Sequence, residues 1–134
     1  MWSKTSLVTL VPVRDMNRAI RFYTKVLGGE LEERGRGQMR NYWAGIRLGP
    51  HPIWLVGGTK PEKRTRAYSL FLVKNIRRTV KRLKARGLRF QRAEKTGPRT
   101  KVEGVIAWEA WGGSAFFKDT EGNLWMIWEN IPPM

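Results

Sequence analysis

Residues 13–21 read VRDMNRAIR, and residues 73–81, sixty positions later, read VKNIRRTVK. Valine and arginine recur identically at the first and sixth positions, and most other positions keep their chemical character. In each copy an apolar run precedes Asp15 or Asn75, and an amphipathic stretch follows. Aspartate and asparagine at such a place accept hydrogen bonds from the free amides of a first helical turn. The repeat therefore predicts one strand–helix unit that is used twice.

The length and composition suit one domain made of two such modules, at residues 1–60 and 61–134. Hydrophobic residues make up 41% of the chain, which is enough for a core without covalent links. The chain has no cysteine, so disulfides and thiolate metal sites are excluded and a reducing, cytoplasmic location is favoured. The apolar run before Pro12 is too short to span a bilayer and is predicted to be the first strand.

Positive charge is concentrated in the middle of the chain. The formal net charge is +15, and residues 60–101 hold sixteen Lys or Arg against two acids. Residues 102–134 hold one against five. Such a field attracts anions, including nucleic acid. An alternative is that these cations are the solvated face of the second helix, whose apolar side would hold Ile76, Val80 and Leu83.

Apolar periodicity and turn residues predict the order β-α-β-β-β twice. Module one is predicted to hold a helix from Met16 to Leu27 and, after the first strand, strands at Glu30–Arg34, Gln38–Leu48 and Pro52–Val56. Module two is predicted to hold a strand ending at Val73, a helix ending at Arg86, and strands at Leu88–Gln91, 115–118 and 124–128. A tight turn at residues 119–123 separates the last two strands.

Two motifs resemble the vicinal oxygen chelate superfamily of glyoxalase I, bleomycin-resistance proteins and extradiol dioxygenases. The first is Val-x-Asp followed by AIRFY at residues 19–23 and VLG at 26–28. The second is FFKDTEGNL at residues 116–124, which is similar to the family's F-x-D-P-x-G-N, with Thr120 in place of proline. The resemblance implies an α+β fold, in which two βαβββ modules form a U-shaped eight-stranded mixed sheet. It also implies helices on the convex side and a functional cup on the concave side.

Metal enzymes of this family place four His or Glu ligands in the cup. The corresponding positions in this chain fall on Val8, Trp54, Tyr68 and Met126. None of them offers an imidazole or a carboxylate, which Zn, Ni, Mn and Fe need at such sites. His51 lies between two prolines in a predicted turn and has no second ligand near it in the sequence. The sequence therefore predicts neither a metal nor another cofactor.

Strand alternation indicates what lines the cup instead. Leu124 and Trp128 share the parity of Met126, whereas Trp125 and Ile127 have the opposite parity and should pack under the helices. Residues 43 and 47 face the cup if Ala44 and Ile46 face the helices. The predicted ligand-binding residues are Val8, Trp43, Arg47, Trp54, Tyr68, Met126 and Trp128. The aromatic members form a slot for a planar molecule, or alternatively fill a collapsed cup.

The favoured function is a metal-free, homodimeric, small-molecule-binding protein, similar to the antibiotic-sequestering branch of the family. Because the chain is basic, its planar hydrophobic ligand should be neutral or anionic. One alternative is a metal-independent isomerase, cyclase or lyase that uses Tyr68, Glu109 or Arg47 as an acid–base group, although the sequence identifies no catalytic residue. A second is a nucleic-acid-binding module using residues 60–101, whose binding would be weak and non-specific because no base-reading motif is present.

Overall fold

The computed structural model describes residues 1–58, 67 and 69–131. The chain forms two compact units, Met1–Glu62 and Lys63–Met134. Each unit packs a helix against one sheet, so the predicted α+β class with two modules is confirmed. None of the described helices is long and apolar enough to cross a membrane.

The first unit contains a four-stranded sheet in the order β1-β4-β3-β2, with β1 parallel to β4. Its elements are β1 (Thr9–Pro12), α1 (Met16–Arg21), β2 (Glu30–Arg34), β3 (Trp43–Leu48) and β4 (His51–Val56). One face of the sheet carries the buried side chains of Val11, Ala44, Ile46, Ile53 and Leu55. Helix α1 begins where Asp15 Oδ1 accepts a hydrogen bond from Arg18 N at 3.0 Å, and it contributes Met16 and Ala19 to the core. The predicted cap at Asp15 is confirmed.

The first helix changes its hydrogen-bonding pattern before its predicted end. Residues Phe22–Val26 form a π-helical turn, in which Leu27 N donates to Phe22 O at 3.1 Å. The Thr24 hydroxyl donates to Ile20 O at 2.7 Å, and this is the carbonyl that residue 24 would use in an α-helix. A continuous α-helix from Met16 to Leu27 is therefore wrong in its second half.

Strand β3 begins five residues later than predicted. Residues Gly37–Met39 form a short 3₁₀ turn that starts at Gly37 with φ +58°. The Arg34 side chain donates to Arg40 O at 2.7 Å and to Asn41 Oδ1 at 3.1 Å. These bonds hold the segment as a loop rather than as an extension of the strand. His51, predicted in a turn, is the first residue of β4 and is exposed.

The second unit contains a five-stranded sheet in the order β5-β9-β8-β7-β6, with β5 parallel to β9. Its elements are β5 (Leu70–Leu72), α2 (Ile76–Ala85), β6 (Lys101–Glu103), β7 (Ile106–Glu109), β8 (Gly112–Lys118) and β9 (Leu124–Asn130). Helix α2 is capped twice, because Asn75 Oδ1 accepts from Arg78 N at 3.0 Å and Glu129 Oε1 accepts from Ile76 N at 2.8 Å. Of its predicted apolar side, Ile76 and Val80 are buried and Leu83 is half-buried.

The strands of the second unit differ from the prediction on one side of the sheet. The predicted strand Leu88–Gln91 is reduced to a single bridge between Phe90 and Phe117. A hairpin of β6 and β7, which was not predicted, turns through Gly104 with φ +61°. All three β6 residues are exposed, so this strand shows no apolar alternation. The described residues therefore contain nine strands in two sheets rather than eight strands in one.

Candidate functional site

The face of the first sheet opposite its core carries a pair of tryptophans. Trp54 is paired with Gly45 on one side and with Leu10 on the other, so the three residues lie on the same face. The Trp43 and Trp54 rings meet edge to face, with centroids 5.6 Å apart and planes at 88°. The two rings lie above position 45, where an added Cβ would be 3.5 Å from Trp43 Cζ2 and 3.8 Å from Trp54 Cδ1, at ordinary contact distance. Trp54 remains 42% exposed, which leaves part of its ring available for contact.

Arg47 shares this face, but its charge is already paired. Its Nε lies 3.1 Å from Glu32 Oε2, and both side chains are about half exposed. A bulge in β2 between Leu31 and Glu33 brings Glu32 to this position. Val8, the fourth residue predicted in this unit, is half-buried and lies just before β1. Trp43, Arg47 and Trp54 thus share one face of the sheet, where the two tryptophans contact each other and Arg47 pairs with Glu32.

In the second unit, Met126 and Trp128 lie on one face of β9. Their partners on β5 are Leu70 and Leu72, which are 49% and 64% exposed. The Trp128 ring covers Gly112, where an added Cβ would lie 2.6 Å from ring atom Cζ2. Tyr68 lies outside the described residues. Trp125 and Ile127 are buried on the opposite face, as predicted.

A cavity of about 380 Å³ opens on the Met126 face of the second sheet. Strands β7, β8 and β9 supply its floor, and the segment after α2 supplies a wall. It is lined by Gln91, Arg92, Ala93, Glu94, Thr96, Val105, Ala107, Glu109, Ser114, Phe116, Leu124 and Met126. The volume lies within the range of small-molecule sites, and an apolar floor with a few polar groups is typical of them. Of the predicted site residues, Met126 lines this cavity and Trp128 does not.

Glu109 is the most strongly fixed polar group in the cavity. Its Oε1 accepts hydrogen bonds from the hydroxyls of Thr96 at 2.6 Å and Thr100 at 2.8 Å. These bonds lower the pKa of Glu109 below its usual value, and the Thr96 bond has the larger effect. Desolvation acts in the opposite direction but is outweighed. The carboxylate is therefore ionised at neutral pH. It is suited to accepting hydrogen bonds and poorly suited to the role of general acid.

Some residues of the cavity could have been found from the sequence and others could not. Phe116 is the partner of Met126 across β8 and β9, and it belongs to the closing motif. Its parity with Met126 was thus an available signal. Residues 91–96 come from a segment without regular structure, and no periodicity in the sequence indicates that they turn toward Ala107 and Ser114.

The family assignment rests on nearly the whole chain. The model of the Glyoxalase/Bleomycin resistance protein/Dioxygenase superfamily matches residues 6–127. The chain belongs to this superfamily. No curated protein sequence is significantly similar to it.

Solved structures of this superfamily's fold resemble the chain along most of its length. UcmS2 has 21% identity and a TM-score of 0.70, over 92% of this chain and 96% of that one. TnmS3, an antibiotic-binding protein from Streptomyces sp. CB03234, has 23% identity and a TM-score of 0.66, over 98% and 99%. A mutant of the fosfomycin resistance protein FosX from Listeria monocytogenes, crystallised with Mn(II) and 1S,2S-dihydroxypropylphosphonic acid, has 17% identity and a TM-score of 0.64, over 95% and 90%. At these identities the likeness shows the fold alone.

The residues predicted at the superfamily's metal positions do not suit a divalent ion. Val8, Trp54 and Met126 carry no oxygen or nitrogen atom that could act as a ligand of the usual kind. Among the described residues, no three His, Cys, Asp or Glu side chains lie close enough together to hold a metal. Glu109, the acidic group fixed in the cavity, accepts hydrogen bonds from two threonine hydroxyls. It is not part of a cluster of potential metal ligands among the described residues.

Proposed function

We propose that the protein binds a small, mainly apolar molecule in the cavity of its second unit, without a metal. The observation that carries the proposal is the cavity itself. Its floor includes the apolar residues Ala107, Phe116, Leu124 and Met126, and two of its polar groups, Thr96 and Glu109, are fixed by a hydrogen bond to each other. Transfer of an apolar ligand from water to such a floor lowers the free energy, and the polar groups orient the ligand.

The proposed ligand is planar and neutral or anionic. Phe116 and Met126 are neighbours across β8 and β9, and an aromatic ring with a thioether offers a polarisable surface to a flat ring. The net charge of +15 disfavours a cationic ligand at long range. The likeness in fold to the antibiotic-binding protein TnmS3 is in keeping with the binding of a small molecule. Trp43 and Trp54 on the first sheet, and Trp128 on the second, stay proposed contacts for a planar molecule at places other than this cavity.

Two phenylalanines of the second unit give a matched test of the proposal. Phe116 lines the cavity, whereas Phe90 packs edge to face against Phe117, with ring centroids 6.1 Å apart. Titration calorimetry with 2-naphthol should show that Phe116→Ala weakens binding by about 1–3 kcal/mol, the range for a planar ring on an aromatic side chain. Phe90→Ala should destabilise the fold but leave the affinity unchanged. Saturable binding that is equally insensitive to both changes would place the ligand elsewhere.

We also propose that the protein is a homodimer. Leu10 on the first sheet, and Leu70 and Leu72 on the second, are 49–64% exposed and lie on the edge strands β1 and β5. Exposed apolar edges of this kind favour association, and a second copy of the chain is the simplest partner. Light scattering at micromolar concentration should give twice the 15.6 kDa mass of the chain. A monomer at that concentration contradicts this proposal but not the binding site.

A further inference from the structure

The Glu109 carboxylate is held in place in the cavity, but only one of its two oxygens accepts hydrogen bonds from residues that the structure describes. Thr100 is 3% exposed, and its hydroxyl accepts from Gly97 N at 3.1 Å while donating to Glu109 Oε1. Thr96 donates to the same oxygen. No residue that the structure describes donates a hydrogen bond to Glu109 Oε2. One carboxylate oxygen is thus fixed by the protein, and the other remains available to a ligand.

We propose that the cavity selects neutral aromatic ligands that carry a hydroxyl or N–H group, which donates to the Glu109 carboxylate while the ring lies on the apolar floor. This inference rests on the proposed function and narrows its ligand class. A carboxylate holds up to four hydrogen bonds, and here the protein supplies two. A neutral donor adds a third bond without adding a charge to the cavity.

The charge of the cavity itself sharpens the choice between neutral and anionic ligands. Of the residues lining it, Glu94 and Glu109 are acidic and Arg92 is basic. An anionic ring seated on the floor would meet the fixed carboxylate of Glu109, whose neighbouring threonines keep it ionised. The positive field of the whole chain acts at long range and is screened by salt, whereas this contact is direct. The carboxylate of Glu109 therefore disfavours anionic ligands on the floor of the cavity relative to neutral ones.

Three probes of one shape separate the contributions of ring and donor. 2-Naphthol has a neutral hydroxyl at pH 7, 2-methoxynaphthalene lacks the donor, and 2-naphthoate is anionic. We expect the protein to bind 2-naphthol about tenfold tighter than either analogue, because a hydrogen bond to a charged acceptor contributes about that factor. Calorimetry on the unaltered protein measures this order without relying on any variant.

The variant Glu109→Gln removes the charge but keeps an oxygen for the two threonines. Its affinity for 2-naphthol should fall about tenfold, its affinity for 2-naphthoate should rise, and 2-methoxynaphthalene should bind as before. Glu103→Gln is the matched control, since Glu103 pairs with Arg77 at 2.6 Å and does not line the cavity. It should leave all three affinities unchanged.

The outcomes distinguish this inference from the proposed function. Equal affinity of the unaltered protein for 2-naphthol and 2-methoxynaphthalene would overturn the inference, while the binding function would stand. Tight binding of 2-naphthol that Glu109→Gln does not weaken would also overturn it. If none of the three probes binds the unaltered protein, the proposed function fails and takes the inference with it.

Discussion

At the scale of single residues, the buried hydroxyl of Thr100 organises the polar side of the cavity. It joins the amide of Gly97 to the carboxylate of Glu109, and so fixes a segment that has no regular structure of its own. The Thr96 bond first, and then the Thr100 bond, lower the pKa of Glu109. Two side chains outside the predicted site therefore influence the geometry and the charge of the group that faces the ligand.

We predict that Thr100→Val, a change of nearly the same shape, destabilises the protein at pH 7. The Gly97 amide loses its acceptor, which costs about 1 kcal/mol, and Glu109 loses one donor. A lowered folded-state pKa stabilises the protein above the usual value of 4.5, and this stabilisation is lost as the pH falls through the lower folded value. In the variant the pKa of Glu109 rises toward its usual value, so the difference in stability should shrink in acid.

Urea unfolding at pH 7 and in acid measures the stability difference, and carboxyl NMR titration follows Glu109 directly. Thr120→Val is the control, because Thr120 is exposed in the turn at residues 119–123. A difference that grows in acid would contradict the assigned role of Thr100.

At the scale of elements, the closing turn shows why its sequence motif needs aspartate. Asp119 is 6% exposed, and its Oδ1 accepts from the amides of Glu121 and Asn123 at 2.9 and 2.8 Å. Its Oδ2 accepts from Asn123 Nδ2 at 2.8 Å, and Gly122 has φ +86°. The turn sets the register between β8 and β9, and this pairing places Phe116 beside Met126 in the cavity.

We predict that Asp119→Asn destabilises the fold by about 1–3 kcal/mol, whereas Asp15→Asn has little effect. At position 119 the new amide group would face another donor, Asn123 Nδ2, in a buried place. At position 15 the change keeps the one acceptor that Arg18 N needs, and asparagine caps a helix as well as aspartate does. Thermal unfolding of the two variants makes the comparison. Equal losses of stability in the two variants would mean that the negative charge of the aspartate stabilises the fold, rather than the arrangement of its hydrogen bonds.

The elements also show which features of the sequence were informative. Helix caps and strand parity are set by residues that are close together in the sequence. The caps at Asp15 and Asn75 and the buried face of β9 were therefore predictable. In the π-helical turn the Thr24 hydroxyl donates to the backbone carbonyl of Ile20, a contact that apolar periodicity does not reveal. The hairpin of β6 and β7 begins with an exposed strand, so it lacked the alternation that identifies strands. The wall of the cavity was also missed, because residues 91–96 form no helix or strand and so show no periodicity.

At the scale of the whole molecule, the basic charge is mostly on the surface. Helix α2 buries Ile76 and Val80, and its Lys and Arg side chains are exposed, in agreement with a solvated face. Arg77 is engaged twice, since it pairs with Glu103 and lies 4.7 Å above the Trp108 ring. An exposed cationic face without a base-reading element should bind polyanions only through their charge.

We predict weak nucleic-acid binding that falls steeply with salt and is indifferent to sequence. Neutralised phosphates release counterions, so affinity for duplex DNA should drop by orders of magnitude between about 50 and 200 mM salt if several phosphates are contacted. Titrations with two unrelated duplexes measure both the slope and the specificity. A sequence preference that persists at the higher salt would instead indicate a nucleic-acid-binding function.

The central claim, that a ligand occupies the cavity of the second unit, is tested most directly by methionine methyl NMR. The chain has five methionines, of which Met126 lines the cavity and Met39 is 54% exposed in the first unit. Met126→Leu assigns the resonance. On titration with 2-naphthol, the Met126 methyl signal should shift strongly and saturably, because an aromatic ring seated beside it shields the methyl group, while the Met39 signal should not move. Saturable binding measured by calorimetry with an unmoved Met126 signal would contradict the claim.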